Sequence, residues 1–333
     1  MGQLYTAERL QRIEDGLRDV LAEWGLSSKT RLSLLNISEN ATFRADDPNR
    51  SSAIVLRVYR SGYHTTREIL SELAWIDQLR RDQVIVTPEP LRLTSGHRLA
   101  EFDAGDGPLQ ATAFAFMSGR EPRPTDDLTA WFVKLGAISA KLHTHSLSKG
   151  VPHGFQRKRW TFQTMFGAEP LWGDWRAAIG LTIEGADLLE RCAAKLEADL
   201  AEFGTGPDRF GLIHADLRLA NLLIEEDRLG VIDFDDCGFS WFMYDFAAAI
   251  SFFEHEPGIP DLMEAWIAGY DRIRPLESHE VHALPQFVMA RRLLLTAWLA
   301  SHSETPTAQD LGANYTEGTL TLADAYLAGR FLV

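Results

Sequence analysis

The chain has 333 residues, 45% of them apolar and 24% charged, the composition of a globular protein with room for two cores. Its 33 basic and 47 acidic residues leave a net charge of −14, which argues against nucleic acid as the main partner and is compatible with a cationic one. No apolar run is long enough to span a membrane, so no membrane partner is expected. Cys192 and Cys237 are too few and too far apart for a disulfide framework or a metal site, so the expected setting is cytoplasmic.

In chain order, Leu10, Ile13, Leu17, Val20 and Leu21 fall at helical spacing after a charged, unsignal-like start. Gly2 alone is too weak a cue for lipidation. Strand-like runs follow at 30–37, 41–44 and 53–59, with the Asp- and Pro-containing stretch 45–52 as a turn. A Thr65-capped helix is expected to about Leu79, then strands at 84–86, 91–93 and 111–117. Gly119, Pro122 and Pro124 break the pattern. Helices are expected over 127–145 and 182–202, and from Phe239 onward, including 244–253, 260–273 and 281–302. The expected fold class is α+β and bilobal, with a small antiparallel sheet lobe over 1–117 and a larger helical lobe over 118–333.

The chemistry concentrates between His214 and Asp236. His214, Asp216 and Asn221 form His-x-Asp-x₄-Asn, followed by two apolar runs around the polar turn 225–228, the second ending in Asp233. A hairpin here would gather Asp216, Asn221 and Asp233 at one end of a ribbon. Phosphoryl transfer needs such a set: Mg²⁺ takes hard oxygen ligands, which Asn221 and Asp233 supply. Asp216 would orient an acceptor hydroxyl and take its proton, while His214 braces the loop. The competing reading, Asp and Asn as plain turn and cap residues, does not account for the whole set.

The spacing matches the catalytic loop of eukaryotic-type kinases. With the run from Ile232 through Asp245-Phe246-Ala247, it more closely resembles the aminoglycoside phosphotransferase/choline kinase superfamily, nearest to homoserine-kinase-like and stress-response-kinase-like proteins. The resemblance implies a protein-kinase-like fold, ATP and Mg²⁺ as cofactors, and Asp245 as a structural brace. It places Arg57 at the position of the phosphate-binding cation, where Lys is usual, and Glu72 as its partner. The alternative for Arg57 is a strand-surface charge. Residues 36–42 stand where protein kinases carry a glycine-rich loop but contain no glycine; Ser38 and Asn40 are the phosphate-contact candidates there, or belong to a plain turn. The resemblance sets Phe116 and Met117 at the adenine hinge, where contacts would be backbone ones and the two side chains serve packing as readily as recognition.

Candidates for the acceptor are Arg157 and Arg159, suited to a carboxylate, Asp235, suited to an amine or a second Mg²⁺, and Trp241. The stretch 156–160 also fits a solvated helix start, and Arg291 and Arg292 are expected as surface or ion-paired residues. The expected activity is transfer of a γ-phosphoryl group to a hydroxyl of a small molecule such as an amino acid, amino alcohol or aminoglycoside. The alternatives are a stress-response Ser/Thr protein kinase and a silent nucleotide-binding scaffold. Oligomeric state is left open.

Overall fold

The Thr6 hydroxyl accepts the Arg9 N–H and starts helix α1 (Ala7–Val20), which buries Ile13, Leu17 and Val20 on one face. The computed structural model describes residues 5–37, 40–105, 107–303 and 305–332. The chain falls into two units, Met1–Ser118 with Pro152–Gln156, and Gly119–Val151 with Arg157–Val333. In the first unit, the α1 face joins Phe43, Leu56 and Ala113 in one core. The strands are β1 (Arg31–Ile37), β2 (Ala41–Asp46), β3 (Ile54–Val58), β4 (Pro90–Leu91), β5 (Ala100–Asp103) and β6 (Pro108–Ala115). They form an antiparallel sheet in the order β1-β2-β3-β6-β4, with β5 also on β6.

Helix α2 (Thr66–Arg81) opens with a capping box between Thr65 and Glu68 and buries Ile69, Leu73, Ile76 and Leu79. No strand forms at 84–86. The Val84 N–H instead closes onto the Leu79 carbonyl at 3.0 Å, ending the helix. Strand β5 escaped the apolar pattern because Glu101 and Asp103 alternate with its two buried residues, Ala100 and Phe102.

The second unit holds α3 (Thr129–Lys149), α4 (Phe162–Phe166), α5 (Ile183–Phe203), β7 (Phe210–Ile213), β8 (Leu222–Glu225), β9 (Arg228–Val231), β10 (Gly238–Trp241), α6 (Tyr244–Ala249), α7 (Ile259–Asp271), α8 (Ser278–His282), α9 (Leu284–Ser301) and α10 (Pro306–Leu327). Helices α3 and α7 touch backbone to backbone: a Cβ at Gly136 would overlap the Trp266 carbonyl, and one at Gly269 the Val133 carbonyl. Helix α9 is buried along nearly its whole length, and its buried residues are apolar except for Arg291, Arg292 and Thr296. Residues 239–241, expected as helix, belong to strand β10, which pairs antiparallel with β7. β8 and β9 form the expected hairpin.

Candidate active site

The loop from β7 to β8 is bent sharply. Ala215 has φ +67° and Asp233 φ +61°, both in the left-handed region. Asp tolerates that conformation better than Ala does. A strained alanine persists only where its surroundings hold it. Here the Ala215 N–H donates to Asp245 Oδ1 at 2.8 Å, and the His214 N–H to Asp245 Oδ2 at 3.4 Å. Asp245 is fully buried near the start of α6 and is held in turn by His143 Nε2 at 2.9 Å. His143 Nδ1 lies 2.8 Å from the Tyr270 hydroxyl, which also accepts from Arg274 at 3.0 Å. Burial drives the His143 pKa below its ordinary value despite Asp245, so His143 is neutral. A neutral ring donating from Nε2 to Asp245 accepts the Tyr270 hydroxyl at Nδ1.

His214 is also fully buried, and burial lowers its pKa. Its Nε2 donates to the Ile232 carbonyl at 3.2 Å and its Nδ1 accepts the Asp216 N–H at 3.2 Å. One neutral imidazole thereby ties the loop to the end of β9.

The Asp216 carboxylate is gripped from two sides. Oδ2 accepts Asn221 Nδ2 at 2.7 Å and Arg218 Nε at 3.2 Å; Oδ1 accepts Arg291 Nη2 at 2.5 Å. Burial would raise the Asp216 pKa, but the charges of Arg218 and Arg291 outweigh it and hold the carboxyl below its usual range. Asn221 spends its second amide hydrogen on the Asp216 carbonyl at 2.8 Å. The Ile232 N–H donates to the Asn221 carbonyl at 2.9 Å, which extends the hairpin ladder and carries Asp233 to the level of Asn221.

With both hydrogens of Nδ2 committed, Asn221 keeps Oδ1 as an acceptor, and Asp233 adds a carboxylate. Two hard oxygen donors fit Mg²⁺ or Ca²⁺, which take their remaining ligands from water and phosphate. Among the described residues, no cluster of three or more His, Cys, Asp or Glu stands ready to hold a metal unaided. Beside the loop, within the second unit, lies a cavity of about 870 Å³ lined by Arg120, Arg123, Arg218, Ala220, Leu223 and Phe252, among others. Its lining also holds Glu121 and Asp126, and two of the arginines are ion-paired, Arg120 to Asp126 at 2.6 Å and Arg218 to Asp216 at 3.2 Å.

Several acceptor candidates are placed elsewhere. Trp241 is core: it is 3% exposed, stacks edge-on with Phe210, and donates its indole N–H to the Gly204 carbonyl at 2.7 Å. Arg157 is buried, donating to the Cys237 carbonyl at 2.7 Å and to the Asp235 carbonyl, so it clamps the chain after Asp233. Arg159 is exposed, with its guanidinium over the Phe210 and Phe239 rings. Residues 158–160 are not a helix start; they run alongside β10, with Trp160 N–H to the Phe239 carbonyl at 2.8 Å. Asp235 is buried two residues from Asp233, its N–H 3.4 Å from Asp233 Oδ1. Arg291 and Arg292 are ion-paired and far from the surface, at 2% and 1% exposure. Two consecutive arginines inside an apolar helix are the sequence cue for buried, paired charge.

In the first unit, β3 and α2 bring Arg57 and Glu72 together at 2.7 Å, both buried, with the Arg57 guanidinium 5.0 Å from the Phe114 ring. Arg57 is therefore no surface charge. Asn40 spends its Oδ1 on the Arg60 N–H at 3.1 Å, which leaves that oxygen bracing the chain. Ser38 lies outside the described residues. Phe116 is exposed, with Arg44 4.3 Å from its ring centroid, and Met117 is half-buried.

Residues 33–276, most of the chain, match the phosphotransferase enzyme family called APH. The chain belongs to that family. It is a phosphotransferase acting on an alcohol group, within the aminoglycoside phosphotransferase/choline kinase superfamily. It is similar to a homoserine kinase of Parvibaculum lavamentivorans, 31% identical over 65% of this chain and 64% of that one. It is also similar to the amicoumacin kinase of Bacillus subtilis, 21% identical over 85% of this chain and 83% of the relative. The solved structure of a microcompartment-associated aminopropanol kinase superposes with a TM-score of 0.88 at 40% identity, covering 95% of this chain and 98% of the other. The bilobal α+β kinase-like fold is thereby established.

Proposed function

We propose that this kinase moves the γ-phosphoryl group of ATP, with Mg²⁺, to the hydroxyl of a small amino alcohol. The observation that carries the reading is the grip on Asp216: a buried carboxylate fixed at both oxygens, in hydrogen-bond contact with an asparagine whose own oxygen stays available. An acceptor hydroxyl donating to Asp216 is oriented for in-line attack; its oxygen bonds to phosphorus as the bond to ADP breaks, and the carboxylate then takes the proton. A carboxylate whose pKa is held low is a weak base in the ground state, so proton transfer follows bond formation and orientation is the larger contribution. Asn221 and Asp233 would hold Mg²⁺, whose charge offsets that of the transferring phosphoryl group. In the first unit, the nucleotide-binding lobe of this reading, Arg57 would meet phosphate with Glu72 fixing its direction.

For the acceptor, the likeness to an aminopropanol kinase at 40% identity supports an amino alcohol. A carboxylate-bearing acceptor loses one of its two expected partners, because Arg157 is spent on backbone carbonyls, and keeps exposed Arg159. A protein substrate finds little platform, since β10 begins only five residues after Asp233 and α6 six residues after that. The test is ATP-dependent phosphorylation with Mg²⁺ across aminopropanol, ethanolamine, homoserine, an aminoglycoside and a protein substrate. Turnover confined to the amino alcohols, and abolished by EDTA, is the expected result; preference for homoserine or for protein would refute the assignment.

A further inference from the structure

We infer that Arg291 is the positioning residue that sets the Asp216 carboxylate for phosphoryl transfer. The inference rests on the kinase reading of Asp216 and adds a residue from a helix outside the catalytic motif. Helix α9 is apolar on nearly every face, and a guanidinium at its middle is tolerated only if each donor finds an acceptor. Arg292 meets that need structurally, bonding Glu254 at 2.8 Å, Thr319 at 2.8 Å and the Tyr315 carbonyl at 2.8 Å, and so joins α9 to α10. Arg291 points elsewhere. Its Nε donates to Ser251 Oγ at 3.0 Å, its Nη1 lies 3.4 Å from the Tyr244 hydroxyl and 3.4 Å from the Ala215 carbonyl, and its Nη2 donates to Asp216 Oδ1. The guanidinium also lies 5.2 Å from the Trp172 ring centroid.

Two consequences follow from that geometry. First, strained Ala215 is held from opposite sides, its N–H by Asp245 and its carbonyl by Arg291. Second, the Asp216 carboxylate is pinned at Oδ2 by loop residues and at Oδ1 by Arg291 alone among the contacts given above. The loop contacts restrain the carboxylate through one oxygen only, and Arg291 adds the second point of attachment. With Arg291 in place, its plane is fixed, and an acceptor hydroxyl meets one direction of approach. Ser251 and Tyr244 in turn stop the guanidinium from following the loop.

The test compares Arg291→Gln and Arg291→Lys with the wild type, using whichever acceptor the wild type turns over. Arg291→Gln should lower kcat by about 100-fold, as misplacement of a catalytic group by an ångström does. The KM for ATP should stay within about twofold, because nucleotide binding does not use this contact. Arg291→Lys, which restores a cation without the fork, should recover part of the kcat loss. Wild-type kcat in Arg291→Gln overturns the inference, as does a loss that appears in KM rather than kcat. Equal losses in both variants, tracking a common fall in melting temperature, also overturn it by reducing Arg291 to a structural part. If Arg291→Gln does not fold, Arg291→Lys alone decides: reduced kcat at unchanged melting temperature and KM supports the role, and wild-type kcat refutes it. Failure of the kinase reading is separate, since it appears as absence of turnover in the wild type.

Discussion

Replacing Asp245 by asparagine changes one oxygen to an NH₂ group and removes a charge, with almost no change in shape. The carboxylate accepts three donors: Ala215 N–H at 2.8 Å, His214 N–H at 3.4 Å and His143 Nε2 at 2.9 Å. An asparagine can keep Oδ1 on Ala215, the shortest bond and the one that restrains a left-handed residue. Its NH₂ then faces two N–H groups. His143 can relieve its own conflict by changing tautomer, accepting from the amide at Nε2 and donating from Nδ1 to Tyr270, but the His214 N–H has no such option. Each charged bond reduced to a neutral one costs about 1 kcal/mol, and a buried donor left facing a donor costs about 1–3 kcal/mol. With two such bonds and one facing donor the sum is about 3–5 kcal/mol, enough to lower the melting temperature by about 6–20 °C in a unit of this size. The same loosening of Ala215 displaces Asp216, so kcat should fall by about 100-fold. Thermal unfolding and steady-state kinetics on Asp245→Asn read both. A loss below about 1 kcal/mol with unchanged kcat would refute the claim that Asp245 holds the catalytic loop through these bonds.

Other predictions follow from single contacts. Glu72→Ala leaves Arg57 buried without its carboxylate and should cost about 3–5 kcal/mol in urea unfolding, with Glu72→Gln costing less. Gly136→Ala forces α3 from α7 and should destabilise by about 2–3 kcal/mol or more; a neutral result would mean that the two backbones do not meet there. His143 and His214 have pKa values held below the ordinary 6.5 by burial, so below pH 6.5 the unfolded chain binds more protons than the folded one. Stability should therefore rise with pH up to about 6.5 and fall below it, by up to about 2.7 kcal/mol per pH unit for the two together. Urea midpoints that are flat between about pH 5.5 and 7 would contradict the buried, neutral state of both rings.

How far the sequence alone carries differs between the parts of the molecule. The hairpin around Asp233 and the helix following Arg57 were legible because their apolar spacing and turn residues are local signals. Strand β5 and the absence of a strand at 84–86 were not, since Glu101 and Asp103 mask the first and a hydrogen bond from Val84 to Leu79 decides the second. The contrast is sharpest for charged side chains. Arg157 and Trp241 looked like binding residues because a cation or an aromatic near a catalytic motif invites that reading. Their partners, the Cys237 and Gly204 carbonyls, lie 80 and 37 residues away and leave no trace in local pattern. Arg291 lies 75 residues from Asp216, and only its setting inside an apolar helix hinted that its charge must be answered in the interior. His143 and Tyr270, which support Asp245 from α3 and α7, carried no local cue at all.

Asp216→Asn shows whether Asp216 receives the acceptor hydroxyl during phosphoryl transfer. The asparagine preserves size and can keep its oxygen on Asn221 and Arg218; its NH₂ then faces Arg291, so the variant should fold with lowered stability and still give a nucleotide-induced rise in melting temperature. With Mg²⁺, ATP and aminopropanol, kcat should fall by about 10²–10⁴-fold at nearly unchanged KM for ATP. A kcat within about threefold of wild type would contradict it.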